Sequence, residues 1–406
     1  MIRAVALLAI LFAASCATPA QKGAPGATGW GVLTILVSID GFRADYLDRG
    51  TTPTLLKLAR EGVRGSMRPS FPSLTFPNHY ALVTGRTPDH NGIVSNGFED
   101  AARPGIVFKL SNAAVASDPF WWSQAEPLWV TAEKQGVATA TMFWPGSDYE
   151  IAGRRPAHWR AFDQELTGFA RVDQLLGWLD SDGKVRLATL YFDLVDTAGH
   201  RYGPDAAETA SAAAEVDAAI GRLVAGLQAR GRQANLVIVA DHGMAAHRSD
   251  GAIDLDAKLT PETAKVVYAG AVASIAPLPG KTAEAERALL GRGAHGECWR
   301  KQELPKRFGY GANGRVAAIV CLADIGWFYR SAQLGKGESI DGGGHGYDPD
   351  APEMAAVFVA RGPAFKANVK LPKFQNVSVY PLVAKLTGVE PQPNDGSPDD
   401  TAGALR

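Results

Sequence analysis

The chain has 406 residues, of which 46% are hydrophobic and 20% are charged. This composition is typical of a folded globular protein and excludes a disordered chain or a bundle of membrane helices. The formal net charge of −1 argues against a broad electrostatic surface for a nucleic-acid duplex.

Residues 1–16 show the pattern of a secretory signal peptide. Arg3 precedes the apolar stretch AVALLAILFAA, which is too short to span a bilayer, and small residues follow. Cys16 stands after Ala-Ala-Ser, which resembles a bacterial lipoprotein cleavage site without its usual leucine. Cleavage nearby with loss of Cys16 is the alternative. Residues 17–29 predict a flexible tether. From the signal-peptide pattern we expect an exported protein, either periplasmic or anchored to the outer membrane through a lipid on Cys16.

Three apolar runs rich in β-branched residues predict strands that are buried on both faces. The runs are VLTILVSID, VRLATLYFDLVD and ANLVIVAD, and each ends in a carboxylate. The three carboxylates are Asp40, Asp196 and Asp241. Residues 51–60 (TTPTLLKLAR) and the alanine-rich residues 205–230 have the spacing of amphipathic helices.

This alternation predicts an α/β fold, a mostly parallel central sheet flanked by helices, over a catalytic domain of residues 30–395. Residues 260–335 predict a small inserted subdomain, after which the main sheet resumes near VFVARG. Ligands of such sheets gather beyond the carboxyl ends of the strands. One aspartate there could simply cap a loop, but an unpaired buried carboxylate is costly. Three of them together therefore predict a binding site.

Potential metal ligands accumulate around these aspartates. His200 follows Asp196 in DTAGH, His242 follows Asp241, and His345 lies in GGGHGYDP. With Thr75 in FPSLTFPNHY, they complete a set of seven, enough for two divalent metals. The other histidines lack a partner at ligand spacing, and we expect structural or surface roles for His79, His90, His158, His247 and His295.

Thr75 is the candidate nucleophile. Proline in the first turn after a threonine marks a helix start, where free backbone amides suit an anionic phosphate. A threonine hydroxyl is a weak nucleophile, but metal coordination can activate it. For Thr75 alone, an ordinary helix N-cap would be the better interpretation. Its place beside a set of metal ligands favours catalysis.

The motifs together resemble those of the nucleotide pyrophosphatase/phosphodiesterases of the alkaline phosphatase superfamily, bacterial type. The resemblance covers residues 32–390, in the family's order. It rests on VSIDGFRADYL, FPSLTFPNHYALVTG, PDHNGIVSN, DTAGHRYGP, ADHGM and GGGHGYDP. It implies hydrolysis of the phosphodiester and pyrophosphate bonds of nucleotides through a phosphothreonine intermediate on Thr75.

The resemblance also implies the site residues and two Zn²⁺ ions as cofactors. Asp40, Thr75, Asp241 and His242 match the ligands of one zinc, and Asp196, His200 and His345 match those of the other. Asn96 matches a residue that donates to a phosphate oxygen, together with the backbone amide of Phe76. Phe76 and Tyr191 match aromatic residues that hold a nucleotide base or another substrate group, with core packing as the alternative.

The two remaining cysteines, Cys298 and Cys321, are predicted to form a disulfide because pairing is typical of exported proteins, with two buried thiols as the alternative. The resemblance of CWRKQELPKRFGY and CLADIGW to bacterial members favours the disulfide. Nothing in the sequence calls for a dimer, so we expect a monomer.

Three alternative functions remain at this point. A phosphomonoesterase would need a further positive partner for its doubly charged substrate, and no arginine or lysine follows Thr75. A choline-type lipid-headgroup phosphodiesterase would need an aromatic or acidic cage, for which Trp121, Trp122, Trp144 and Phe162 offer material. A non-catalytic metal-binding surface protein would not need Thr75.

Overall fold

The computed structural model describes residues 32–335 and 342–406. The predicted signal peptide (residues 1–16), the tether (17–29) and Cys16 lie outside the described residues. Within the described ranges, no helix combines the length and the apolar character that crossing a membrane requires.

The strands fall into one large sheet and several smaller ones. In chain order they are β1 Leu33–Ile39, β2 Val63–Arg68, β3 Gly97–Glu99, β4 Val107–Lys109, β5 Thr139–Met142, β6 His158–Trp159, β7 Leu187–Phe192, β8 Ala234–Val239, β9 Ala245–Ala246, β10 Ala252–Asp254, β11 Ala264–Tyr268, β12 Val272–Pro277, β13 Gly291–Arg292, β14 Gly296–Arg300, β15 Ile319–Ala323, β16 Phe328–Arg330, β17 Gly343–Gly344, β18 Ala356–Arg361, β19 Val369–Lys370 and β20 Phe374–Gln375.

Helices connect these strands and cover the main sheet. They are α1 Pro53–Glu61, α2 Thr75–Thr84, α3 Pro88–Asn91, α4 Ala113–Ala116, α5 Leu128–Lys134, α6 Gly168–Ser181, α7 Leu194–Tyr202, α8 Ala207–Ala229, α9 Thr282–Leu289, α10 Val379–Thr387 and α11 Asp399–Ala402. The two helices predicted from spacing correspond to α1 and α8. Proline occupies the first position of α1, where its missing N–H costs nothing.

The main sheet has the strand order β19-β2-β18-β8-β1-β7-β5-β6, with β20 also beside β2. The pairs β8-β1, β1-β7 and β7-β5 are parallel, which confirms the predicted mostly parallel α/β sheet. All seven residues of β1 are buried because helices cover both faces of the sheet. The return strand near VFVARG is β18, and it runs antiparallel to both β8 and β2.

A second, antiparallel sheet has the order β11-β12-β15-β14-β13 and packs around a hydrophobic cluster of its own. Cys298 on β14 lies directly opposite Cys321 on β15. The two form a disulfide, which confirms the predicted pairing and cross-links adjacent strands of this sheet.

Candidate functional site

The candidate site lies where three neighbouring parallel strands end. β1 stands between β7 and β8, so their carboxyl ends meet at one edge of the sheet. Asp40 directly follows β1, and Asp241 lies just beyond β8. Directly after Asp40 the chain turns at Gly41, which has a φ of 68°. A Cβ on Gly41 would come within 3.0 Å of Asp196. Only glycine fits where this loop passes the carboxylate.

Asp196 reaches the same edge from a helix. The expectation that it ends a strand is wrong, because β7 ends at Phe192 and α7 begins two residues later. Asp196 and His200 are four residues apart on α7 and therefore share one face. His200 Nε2 lies 3.4 Å from Asp196 Oδ2, and His345 Nε2 lies 3.7 Å from Asp196 Oδ1. These three residues offer ligand atoms within 4.8 Å of one another.

A second group of potential ligands adjoins the first. His242 Nε2 lies 2.9 Å from Asp241 Oδ2 and 3.6 Å from Asp40 Oδ1. It is also 3.2 Å from the hydroxyl oxygen of Thr75. The rings of His242 and His345 stack with their centroids 3.6 Å apart, which joins the two groups. The structure thus brings together all seven residues that were predicted as metal ligands.

Backbone carbonyls orient the three histidines. Nδ1 of His200, His242 and His345 lies 2.9, 2.9 and 3.0 Å from a carbonyl oxygen, respectively. The carbonyls belong to Gly343, Gly243 and Ser73. A proton on Nδ1 satisfies these carbonyls and leaves the lone pair of Nε2 available to a cation.

The crowded carboxylates and histidines of the cluster shift one another's pKa values. Burial, reinforced by the charges of Asp241 and Asp196, raises the pKa of Asp40 well above its ordinary value. Burial also raises the pKa of Asp196. Burial and the neighbouring His242 and His200 hold the pKa of His345 well below its usual range. Carboxylates crowded in a dry site need positive charge among them.

The donor atoms fit divalent cations. Asp40 Oδ1 and Asp196 Oδ1 are buried and accept no hydrogen bond from the described residues, a state that costs free energy unless a ligand satisfies them. Carboxylate oxygens and imidazole nitrogens are the ligands that zinc and similar transition metals prefer. The cluster is therefore a candidate metal centre.

We expect a chelator to lower the melting temperature, because a cation bound only by the folded state stabilises that state. At about 100 times its Kd, a cation contributes roughly 2.7 kcal/mol, which the chelator removes. Thermal unfolding followed by circular dichroism measures the shift. The same chelator presaturated with zinc is the control and should leave the curve in place. Identical melting curves with free and presaturated chelator would argue against bound cations.

Thr75 is the first residue of α2 and is partly exposed. Leu74, not Thr75, occupies the N-cap position, and no side-chain cap is formed. The Thr75 hydroxyl is therefore not used to cap its own helix and instead faces the cluster through His242. This placement is what a hydroxyl nucleophile beside a metal centre needs.

The amides at the start of α2 are engaged, contrary to expectation. The N–H of Phe76 donates to Asn96 Oδ1 at 3.0 Å, and the N–H of Asn78 donates to the carbonyl of Leu74. Pro77 between them has no N–H. That the Phe76 amide donates to a phosphate oxygen stays a prediction, and it requires the Phe76 N–H to exchange Asn96 Oδ1 for the phosphate. The amide nitrogen of Asn96 has no partner among the described residues and remains a donor beside Thr75.

Tyr191 lies under the site rather than at its surface. Its side chain is only 7% exposed, and its hydroxyl donates to Asp40 Oδ2 at 2.6 Å. The most exposed ring nearby is Phe162, which is 50% exposed and has its centroid 6.0 Å from that of Tyr191. The hydroxyl of Tyr191 thus orients the carboxylate of Asp40, a potential metal ligand. The exposed aromatic surface belongs to Phe162 instead. Phe76 is half-buried at the mouth of the site.

His79 is the residue that sequence reasoning missed. It is fully buried, with Nε2 2.8 Å from Ser38 Oγ and Nδ1 3.3 Å from Asp241 Oδ2. His79 has no partner at ligand spacing in the sequence, yet it lies against Asp241 in the fold. Its contacts with Ser38 Oγ and with the carbonyl of Thr75 at 2.9 Å agree with the expected structural role. Its position four residues after Thr75 on the same helix was the signal, since this spacing puts both side chains on one face.

The comparisons with known proteins agree with this geometry. The sequence profile of the family "Type I phosphodiesterase / nucleotide pyrophosphatase" matches residues 34–348. An uncharacterized pyrophosphatase/phosphodiesterase of Schizosaccharomyces pombe is 37% identical, over 89% of this chain and 78% of its own length. Bis(5′-adenosyl)-triphosphatase ENPP4 of Homo sapiens is 34% identical, over 89% and 80% of the two chains.

Solved structures of similar chains share the fold. Human ectonucleotide pyrophosphatase/phosphodiesterase 5 superposes with a TM-score of 0.87 at 30% identity, over 92% of this chain and all of its own. An inactive variant of the murine protein in complex with AMP superposes with the same score at 31% identity and the same coverage. From its matched residues and its fold, the chain belongs to the type I phosphodiesterase/nucleotide pyrophosphatase family of hydrolases, within the alkaline phosphatase superfamily.

Proposed function

We propose that this protein hydrolyses phosphodiester and pyrophosphate bonds of nucleotides, with Thr75 as nucleophile and two zinc ions as cofactors. The observation that carries the proposal is the position of the Thr75 hydroxyl. It lies 3.2 Å from His242 Nε2 at the edge of a cluster that contains unsatisfied carboxylate oxygens. A hydroxyl beside a metal-capable cluster is placed to act as a nucleophile on a phosphorus atom.

The ligand set divides between two cations in this proposal. Asp40, Thr75, Asp241 and His242 would hold one, and the group of Asp196, His200 and His345 would hold the other. Cations bound there supply positive charge for the phosphate oxygens and lower the pKa of a coordinated hydroxyl. Tyr191 donates to Asp40 and so orients this carboxylate. His79 lies 3.3 Å from Asp241, while its Nδ1 is closer to the carbonyl oxygen of Thr75, at 2.9 Å.

The residues of the chain then have distinct tasks. Thr75 forms the new bond to phosphorus, and the leaving oxygen departs from the opposite side in an in-line displacement. The unengaged amide nitrogen of Asn96 donates to an equatorial phosphate oxygen, an oxyanion contact of roughly 3 kcal/mol. A water molecule then cleaves the phosphothreonine-type intermediate and regenerates Thr75.

Nucleotides are the proposed substrates because of the relatives. A similar chain is named as a bis(5′-adenosyl)-triphosphatase, and another binds AMP. In this protein, the rings of Phe76 and Phe162 offer half-exposed aromatic surfaces on which a base could stack. The contacts of Tyr191 favour a supporting role beneath Phe162 over direct contact with the base.

The ratio of two specificity constants tests this proposal. With zinc-loaded full-length chain, we expect kcat/KM to be higher for the nitrophenyl ester of thymidine 5′-monophosphate than for nitrophenyl phosphate. The two substrates share a leaving group, so the ratio compares a nucleoside diester with a doubly charged monoester without a change of leaving group. A ratio below one would contradict a diesterase and identify a phosphomonoesterase instead.

We also propose that the protein is exported and acts as a monomer. The N-terminal pattern of residues 1–16 supports export, and the Cys298–Cys321 disulfide is typical of oxidising compartments. Mass spectrometry of the mature N-terminus would reveal cleavage before position 16 and any lipid on Cys16. A mature chain that still begins at Met1 would exclude export, and a dimer on size-exclusion chromatography would exclude the monomer.

A further inference from the structure

A groove of about 360 Å³ opens beside the candidate nucleophile, outside the metal-capable cluster. It runs between the β3-β4 hairpin and the second sheet. We call it the Phe76 groove, and its lining includes Phe76, Asn96, Lys109, Ser111, Tyr268 and Arg330. It contains none of the seven potential metal ligands. The proposed reaction uses Asn96 and Phe76 at its inner end, but it does not use the charged groups of Lys109 and Arg330.

The Phe76 groove carries positive charge that the described residues do not fully neutralise. The ammonium of Lys109 has no hydrogen bond or ion pair among the described residues, and the side chain is exposed. Arg330 makes an exposed contact with Asp254 at 3.4 Å, which is worth little in water, and its charge also acts on the exposed Asp256. The described residues that line the groove include no aspartate or glutamate. An anionic ligand is therefore the chemistry that it fits.

The pairing of two short strands carries Lys109 towards the reacting phosphate. Lys109 on β4 stands opposite Gly97 on β3, the residue after Asn96. Because Gly97 has no side chain, the Lys109 stem lies over it, with Cε 3.8 Å from where a Cβ would stand. Asn96 in turn accepts the N–H of Phe76, which follows Thr75. Lys109 therefore lies beside the segment that carries Asn96, and Asn96 contacts the residue after the nucleophile.

Stereochemistry decides which part of a substrate enters this groove. In an in-line displacement the leaving group departs opposite the Thr75 oxygen, and the retained substituents spread around the equator of the phosphorus. In the proposed function Asn96 donates to an equatorial phosphate oxygen, so the groove that Asn96 lines opens beside the equator. The retained group, not the leaving group, extends towards Lys109.

We propose that the Phe76 groove is a subsite for a second phosphate on the retained nucleotide, with Lys109 as its specificity-determining residue. This proposal rests on the proposed function. A nucleoside 3′,5′-bisphosphate unit has the required chemistry. Its 5′-phosphate reacts at Thr75 while its 3′-phosphate meets the Lys109 ammonium. No bond to the second phosphate forms or breaks, so Lys109 affects affinity and not the chemical step.

Equilibrium binding tests this proposal on the full-length protein. We expect calorimetry to show that thymidine 3′,5′-bisphosphate binds about fivefold more tightly than thymidine 5′-monophosphate, the upper end of what an exposed ion pair contributes. Lys109→Ala should abolish this difference and leave the affinity for the monophosphate unchanged, whereas Lys109→Arg should keep it. Lys373→Ala removes another exposed lysine and should change neither affinity. Raising the salt concentration should shrink the difference.

Steady-state kinetics gives a second test, in which both substrates have the same nitrophenyl leaving group. The nitrophenyl 5′-ester of thymidine 3′-phosphate should have a lower KM than the ester without the 3′-phosphate, at similar kcat. Equal affinities of the wild-type protein for both nucleotides, or a difference that survives Lys109→Ala, would overturn the subsite. Failure to hydrolyse either ester would instead count against the proposed function, because the binding ratio decides the subsite without turnover.

Discussion

Replacing Thr75 with alanine is expected to lower kcat/KM for a nucleotide nitrophenyl ester by at least about a thousandfold, or about 4 kcal/mol of transition-state stabilisation. The substitution removes the only hydroxyl that the structure places 3.2 Å from His242 among the described site residues. Metal content should stay near that of the wild type, because Asp40, Asp241 and His242 remain. Steady-state kinetics and metal analysis of the same preparation measure both effects.

Two further variants separate chemistry from folding. Thr75→Ser keeps a hydroxyl and should retain measurable turnover. Thr84→Ala removes a hydroxyl from the same helix, where it donates to the carbonyl of Tyr80, away from the site, and should leave kcat unchanged. If Thr75→Ala kept activity within about tenfold of the wild type, a difference below about 1.4 kcal/mol, Thr75 would not be the nucleophile.

Replacing Asp196 with asparagine is expected to remove one of the two proposed cations and nearly all activity. Asp196 lies between His200 and His345, with Nε2 of each histidine within 3.7 Å of a carboxylate oxygen. Asparagine has almost the same shape but no negative charge, so this group loses its only anionic ligand. Metal analysis after exhaustive dialysis should then give one cation per chain instead of two.

Asp205→Asn is the matched control for this variant. Asp205 lies beyond the end of α7, its side chain is 71% exposed, and its ion pair with Arg49 is on the surface. The control should bind two cations and show wild-type kinetics. Two tightly bound cations in Asp196→Asn as well would contradict the assignment of Asp196 as a ligand.

The groove beside Phe76 also bears on the choline-type alternative. A quaternary ammonium group needs an aromatic or acidic environment. Lys109 and Arg330 line this groove, and the described lining residues include no carboxylate. A cationic headgroup on the retained side would be repelled there. The charge of the groove therefore disfavours a choline-type substrate in that position.

Much of the fold and the ligand set follows from local patterns in the sequence. Strands such as β1 are continuous apolar runs because both faces are covered, and this pattern marks their ends, where Asp40 and Asp241 lie. The disulfide between Cys298 and Cys321 could also be predicted from the sequence, since predicted export favours pairing of two cysteines.

Contacts between distant segments could not be predicted in this way. The hydroxyl of Tyr191 donates to Asp40, 151 positions away, and no local pattern encodes the meeting of adjacent strand ends. The same is true of Asn96, whose hydrogen bond to the Phe76 amide depends on how a loop folds back over α2. Asp196 was misplaced at a strand end because an apolar run does not show where the strand stops and the helix begins.

The central claim is that Thr75 becomes covalently bound to the nucleotide during turnover, and acid-quench mass spectrometry tests it most directly. Zinc-loaded protein is mixed with a nucleotide nitrophenyl ester, quenched within the first turnovers and digested. We predict that the peptide containing Thr75 gains the mass of the nucleotidyl group and that Thr75→Ala shows no such peptide. A nucleotidyl group on another residue would contradict the account, as would rapid hydrolysis by Thr75→Ala without any adduct.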